Sequence, residues 1–321
     1  MHLTAHAPGR VNLIGDHTDH TGGLVLPMAI DLGVTVQGRP GGDRVELVSD
    51  LDPAPAVVPL EVADPSRVRP EWARYVAGVV AELAPATGFR GRVTSTVPLG
   101  AGLSSSAALS VAVALALGAT GDPVEVARLC QRAEQRSTGV PCGLMDQLVC
   151  VAGVPGAALL IDTGSGWVQP VAVPAGAEVV VVHSGEQRAL SDSSYAEVRD
   201  RCVSGEAVAA AHVSSENRRV RDAAAGLARA DLARVGALMV QSHASLAELG
   251  VSTPTLDRLV AQLNRTRGVF GARLTGAGFG GCVVALCEPG AVGELITDPD
   301  GGAWSRIWRV VPSAGAWLRT G

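Results

Sequence analysis

Lysine is missing from this chain: all 26 basic residues are arginine. That excludes chemistry built on a lysine amine, such as Schiff bases, the Walker A lysine and the strand lysine of protein kinases. A nucleotide bound here must be held by backbone amides, arginine and metal. A surplus of positive charge is also missing. The net charge is −5 and the isoelectric point about 5.8, which excludes a general affinity for nucleic acid. Aromatic residues are only 3% of the chain, so the apolar 47% leans on Ala and Val, an ordinary globular balance. No C-x-x-C pair occurs among the six cysteines, Cys130, Cys142, Cys150, Cys202, Cys282 and Cys287. Most sit in apolar stretches, so buried free thiols are expected, not a disulfide or metal framework. No window of ~18 residues is free of Gly, Pro and charge, as a membrane helix requires. The nearest, Leu109 to Leu117, is too short. The N-terminus lacks the basic start and apolar run of a signal peptide. There is no tandem repeat and no low-complexity tail. A soluble, cytoplasmic protein is expected.

The 321 residues suffice for two domains with real cores. β-Branched runs bounded by glycine predict strands at Val11 to Ile14, Val34 to Gln37 and Val45 to Val48. Segment 71–84 has apolar residues at helical spacing and follows Pro70, which predicts an amphipathic helix. Val93 to Val97 predicts a strand, the Ala-rich stretch Ala107 to Leu117 a buried helix, and residues 123–137 a helix started by Pro123. Further strands are expected at Ala157 to Ile161, Val179 to His183 and Val283 to Leu286, with helices dominating 194–250. Strict βαβ alternation is absent, so the expected class is α+β. The Gly/Pro-rich stretch around 153–176 marks the boundary, giving domains 1–172 and 173–321.

Chemistry concentrates in three places. In Pro98-Leu99-Gly100-Ala101-Gly102-Leu103-Ser104-Ser105-Ser106-Ala107 a strand ends, turns through two glycines and three hydroxyls, and meets a helix. Such a turn lets the backbone approach an anion, and the helix offers free N–H groups and its positive end. That is a phosphate cradle without lysine, although a Gly/Ser turn with serine caps has the same pattern. Upstream, Gly9-Arg10-Val11-Asn12-Leu13-Ile14-Gly15-Asp16-His17-Thr18-Asp19-His20 carries an arginine into a loop of carboxylates and imidazoles suited to sugar hydroxyls. Adjacent residues of this kind rarely make a metal site, and a functionless polar turn is the plain alternative. In Gly139-Val140-Pro141-Cys142-Gly143-Leu144-Met145-Asp146-Gln147-Leu148 the acid Asp146 stands in an apolar run, as a helix cap or as a carboxylate beside a substrate hydroxyl. Glu134 lies on the preceding helix, as a surface residue or a magnesium ligand. Late in the chain, Arg273-Leu274-Thr275-Gly276-Ala277-Gly278-Phe279-Gly280-Gly281-Cys282 implies tight backbone packing against a ligand or a strand.

These residues resemble the GHMP kinase family, and within it the galactokinases. Pro8 to Pro27 is similar to the galactokinase signature, Pro98 to Ala107 to the family's phosphate loop, and Arg273 to Cys282 to its third motif. Gly139 to Gln147 is similar to the segment with the family's catalytic Asp. Trp72, Tyr75 and Gly78, Ser194-Tyr195 with Arg199 and Cys202, and Met239 to His243 also fit, in the right order. The resemblance implies a ribosomal-protein-S5-like N-terminal domain, a ferredoxin-like C-terminal domain and an active site in the cleft between them. It implies that Asp146 accepts or orients the sugar C1 hydroxyl and that Arg10 stabilises the charged transition state. Asp16, His17, Asp19, Gly143 and Tyr195 would grip the sugar. Gly100, Gly102, Ser104, Ser105 and Ser106 would hold the ATP phosphates, Ser106 and Glu134 would lie near Mg2+, and Trp72 near the adenine. Phosphoryl transfer needs positioning and charge neutralisation, which arginine can supply. The expected partners are a sugar and ATP, without nucleic acid or membrane, on a monomer or weak homodimer. Galactokinases usually carry Glu in place of Asp16 and Tyr in place of His20. Those departures leave room for another monosaccharide, a hexosamine or a pentose. A non-catalytic sugar sensor is the remaining alternative.

Overall fold

In the computed structural model, the described residues are 2–98, 100–186, 192–293, 296–297, 303–304 and 306–321; Leu99 of the Gly/Ser loop lies outside them. The first half opens with β1 (Leu3–Asn12), β2 (Leu24–Val25), β3 (Pro27–Pro40), β4 (Arg44–Ser49) and β5 (Ala56–Pro59). Then come α1 (Ala73–Leu83), β6 (Phe89–Ser95), α2 (Ser105–Ala116), α3 (Pro123–Thr138) and α4 (Met145–Ala152). A hairpin of β7 (Ala157–Asp162) and β8 (Trp167–Ala172) pairs with β2. The second half holds β9 (Glu178–His183), α5 (Asp192–Ser204), α6 (Ala207–Ala228), α7 (Leu232–Leu249) and α8 (Pro254–Arg265). It continues with β10 (Val269–Thr275), β11 (Cys282–Cys287), β12 (Ile296–Thr297), β13 (Ala303–Trp304), β14 (Ile307–Val310) and β15 (Trp317–Thr320).

The strands form a six-stranded sheet in the order β15-β1-β3-β6-β4-β5 and a four-stranded sheet in the order β10-β11-β9-β14. Among the described residues, only β4 and β6 run parallel. The last strand returns to the first half and pairs with β1, Leu3 opposite Thr320. The helix ends follow local chemistry. α3 starts with Pro123 behind an Asp122/Glu125 capping box and stops at Gly139 in the left-handed region. α2 is apolar on most of its surface and is buried accordingly.

α1 to α3 and α4 pack on the six-stranded sheet around Val76, Val80, Val111 and Cys130. The second sheet is buried on both faces, which explains why its strands read as continuous apolar runs. On β9, Val180 and Val182 face a core with Leu246, Leu259 and Leu263 of the helices behind it. Val179 and Val181 face the opposite way, into a core shared with Val11, Leu13, Leu26 and Met28 of the first half. That shared core fixes the halves together and leaves a cleft at the strand ends. No helix among the described residues is long and apolar enough to cross a membrane.

Candidate active site

A cavity of about 640 Å³ lies at this seam. It is lined from the first half by Arg10, Asp16, His17, Asp19, Gly100, Gly102, Ser104, Ser105, Ser106, Glu134, Gly143 and Asp146, and from the second by His183, Tyr195, Gly276, Ala277 and Arg306. Of the site residues expected from sequence, only Trp72 is not part of this lining. Its indole N–H donates to the Ala54 carbonyl at 3.1 Å. His183 and Arg306 carried no signal in the sequence. Gly276 and Ala277 lie in the late glycine-rich motif.

Arg10 reaches the cavity through an irregularity of β1. Pairing with β3 shifts register between Pro8 and Arg10, and the Arg10 N–H bonds the Leu103 carbonyl at 3.1 Å. Bulges of this kind re-aim a side chain. The guanidinium grips Asp146 in a fork, Nε to Oδ1 at 2.8 Å and Nη2 to Oδ2 at 2.7 Å, while Nη1 donates to the Gly102 carbonyl at 2.6 Å. Burial alone would lower the Arg10 pKa, but the Asp146 and Asp16 carboxylates outweigh it and raise it. Asp146 lies in the first turn of α4, where a negative charge is favoured. Ser104 precedes α2 with φ +59° and its hydroxyl does not cap the helix. It donates to Asp146 Oδ2. A left-handed serine at such a point is backbone strain held by its surroundings. Gly100 and Gly102 also have positive φ, which glycine adopts freely. Ser105 and Ser106 open α2 on the cavity lining, and the first turn of a helix has N–H groups without an intrahelical partner.

Ser106 Oγ donates to Glu134 Oε1 at 2.7 Å, and Gln147 Nε2 donates to Oε2 at 2.7 Å. Burial raises the Glu134 pKa to about 7, against the Ser106 hydrogen bond. On the loop after β1, burial first and then the Asp146 and Asp16 charges push Asp19 up to about 7. A Cβ on Gly143 would fall inside the Asp19 carboxylate, so only glycine allows this approach. His17 Nε2 meets the Ala277 carbonyl at 3.1 Å. A carbonyl only accepts, so Nε2 carries the proton and Nδ1, which has no partner among the described residues, is left to accept. Burial and the neighbouring His20 hold His17 down to about 3, and burial holds His20 down to about 4. Both imidazoles are neutral near pH 7. His20 packs edge-on to Tyr195 of α5 with ring centroids 5.2 Å apart. Asp16 lines the cavity; its Oδ1 accepts the Gly276 N–H at 3.0 Å and its Oδ2 lies 2.6 Å from Arg273 Nη2.

The cavity brings together the start of a helix, a fork-held carboxylate and a loop of neutral imidazoles and carboxylates. Residues 2–40 match the galactokinase galactose-binding signature, residues 73–154 the GHMP kinases N-terminal domain and residues 223–298 the GHMP kinases C-terminal domain. A galactokinase from Canis lupus familiaris is 40% identical over 92% of this chain and 86% of its own length. The crystal structure of Lactococcus lactis galactokinase complexed with galactose superposes with a TM-score of 0.89 at 26% identity, covering 98% of this chain and 95% of that one. Methanococcus jannaschii mevalonate kinase shares the fold, with a TM-score of 0.75 at 23% identity over 98% of this chain and 99% of its own. The chain belongs to the GHMP kinase family, in its galactokinase branch. Its fold is the two-domain α+β fold of that family.

Proposed function

We propose that the chain transfers the terminal phosphoryl group of ATP to the C1 hydroxyl of galactose, giving galactose 1-phosphate and ADP. The observation that carries this reading is Asp146, gripped by Arg10 where the phosphate loop meets the sugar loop. In this reading Asp146 accepts or orients the C1 hydroxyl proton. Arg10 offsets charge that gathers on the transferred group. Gly100, Gly102, Ser104, Ser105 and Ser106 hold the phosphates, and Trp72 lies toward the adenine. His17 accepts through Nδ1, and Asp19, Asp16, Gly143 and Tyr195 complete the grip on the sugar. The neutral state of His17 supports its part, because an imidazolium could not accept a hydroxyl proton.

Ser106 and Glu134 present a hydroxyl and a carboxylate oxygen 2.7 Å apart. That donor set fits magnesium, which takes one or two protein oxygens and fills the rest with phosphate and water. When bound, magnesium neutralises phosphate charge; the chain's own part is to hold Ser106 and Glu134 together and to brace Glu134 with Gln147. The division into domains 1–172 and 173–321 is part of the proposal, with β15 returning to the first sheet. So are a monomer or weak homodimer and a cytoplasmic location; six free cysteines suit a reducing compartment.

Product analysis tests the reaction. Incubation with ATP, magnesium and galactose should give a phosphorus resonance coupled to the anomeric proton. An ester at another carbon, or ADP formed without sugar phosphate, contradicts the proposal.

A further inference from the structure

The loop that follows β1 is tied to the second half of the chain as well as to its own half. The Asn12 N–H and carbonyl both bond the Thr275 hydroxyl, at 3.2 and 3.0 Å. The Gly15 N–H donates to Glu216 Oε1 at 2.9 Å. His212 Nε2 meets the Asp16 carbonyl at 3.0 Å. The Asp16 carboxylate takes the Gly276 N–H on one oxygen and faces Arg273 at 2.6 Å on the other. Arg273 is 0% exposed and Asp16 2%.

Stability is a poor reason for this pair. A buried ion pair gives back in attraction about what it loses in hydration, and apolar replacements are often as stable. Arg273 is worse placed than most, since none of its side-chain nitrogens has a hydrogen-bond partner among the described residues and Nη2 meets Asp16 Oδ2 as an ion contact. What the pair does supply is an anchor: the charge contact holds one Asp16 oxygen while the Gly276 N–H holds the other. The next residue, His17, has φ +62°, a left-handed conformation that only a firmly held backbone keeps in a non-glycine residue. The clamp on Gly15 and Asp16 sits directly before that strained residue.

We infer that Arg273 is a positioning residue for the sugar: by pairing with Asp16 it holds the backbone that presents His17 and Asp19 to the cavity. This rests on the reading of residues 16–19 as the sugar loop. The sugar grip is thereby referred to the second half of the molecule, while Arg10 and Asp146 are carried by the first. Loss of the pair loosens sugar binding and leaves the nucleotide cradle on α2 as it is.

The experiment measures kcat and separate KM values for galactose and ATP in Arg273→Lys, Arg273→Gln, Asp16→Asn and the double variant Asp16→Asn/Arg273→Gln, each checked for folding by thermal melting. Displacing a binding group by about 1 Å costs up to about 10²-fold, so the galactose KM should rise about tenfold or more while the ATP KM stays within about twofold. Arg273→Lys, which keeps the charge on a more flexible stem, should recover part of the loss. The two single effects on galactose KM should fall well short of adding in the double variant, because both break one pair. If Arg273→Gln does not fold, because it strands a buried carboxylate, the neutral double variant and Arg273→Lys carry the measurement. A folded Arg273 variant with unchanged galactose KM, or with both KM values rising together, overturns the inference, as does failure of all of them to fold. Asp19→Asn separates the two levels. If it raises galactose KM while Arg273 variants do not, the coupling is wrong; if it too has no effect, the sugar loop is misassigned.

Discussion

Arg10 holds both oxygens of Asp146, 136 residues away in sequence, in parallel hydrogen bonds of 2.8 and 2.7 Å. The fork fixes the plane of the carboxylate, which a single contact would leave free to rotate. Asp146→Asn should lower kcat by ~10²–10⁴-fold with galactose and ATP affinities largely kept. Arg10→Lys should fall between wild type and that variant, since lysine keeps the charge without the fork. Steady-state kinetics with calorimetric binding check both. Retention of more than about a tenth of wild-type kcat in Asp146→Asn would falsify the assignment.

Gly143 allows Asp19 to approach the backbone more closely than any Cβ permits. Gly143→Ala should therefore displace the Asp19 carboxylate and raise galactose KM by about tenfold or more. ATP KM should change little, because Gly143 is not part of the loop before α2. Equal rises in both constants would show a general distortion of the cleft instead.

Ser106 and Glu134 stand together at 2.7 Å in a cavity without lysine, and under the proposed function magnesium held there carries more of the phosphate charge. Ser106→Ala and Glu134→Gln should each raise the magnesium concentration needed for half-maximal rate. Titrations that overlay on wild type for both variants would remove these residues from the metal site.

Asp19 titrates near neutrality, raised to about 7 first by burial and then by Asp146 and Asp16. Below that pH it is protonated and a poorer acceptor. kcat/KM for galactose, which reports the free enzyme, should rise with pH and level off above about 7. Asp19→Asn should make that step shallower, leaving the share of Glu134, which also lies at about 7. The sign for stability is opposite. A carboxyl raised in the folded state favours folding fully below its ordinary value near 4, and that contribution is lost as pH rises through about 7. His17 and His20 act the other way. Their folded values of about 3 and 4 lie below the ordinary 6.5, so their contribution is present above 6.5 and is lost as pH falls toward those values. Melting curves from pH 4 to 7 should therefore be less steep in pH for His20→Asn than for wild type.

Much of this molecule is legible from local pattern. The Pro123 start, the Ala-rich α2 and the β-branched runs of β3, β4 and β9 act through short-range rules, and each forms where expected. Strand ends are less so: Leu13 and Ile14 lie past β1, and β6 stops at Ser95, because the chain turns there into the site loops. The phosphate loop, the Asp146 segment and the sugar loop could be read from residue types, and the structure gathers them into one cavity. What could not be read is partnership. The choice of Asp146 for the Ser104 hydroxyl, and of Arg273 for Asp16, depends on which turns the folded cores bring together. Asp16 looks like a shortened sugar ligand in sequence; its position against Arg273 and Gly276 follows from the seam between the two sheets. The return of β15 to β1 is likewise a choice of edge that no local period encodes.

The most direct measurement is the rate of ATP consumption by the intact enzyme with magnesium across a panel of monosaccharides that includes hexoses, hexosamines and pentoses. A site that hydrogen-bonds its substrate's hydroxyls discriminates by up to about 10⁴-fold. The account predicts galactose at the head of the panel in kcat/KM, with its epimers far behind and the activity gone in Asp146→Asn. A hexosamine or pentose ahead of galactose, or ATP consumption independent of any sugar, would contradict it.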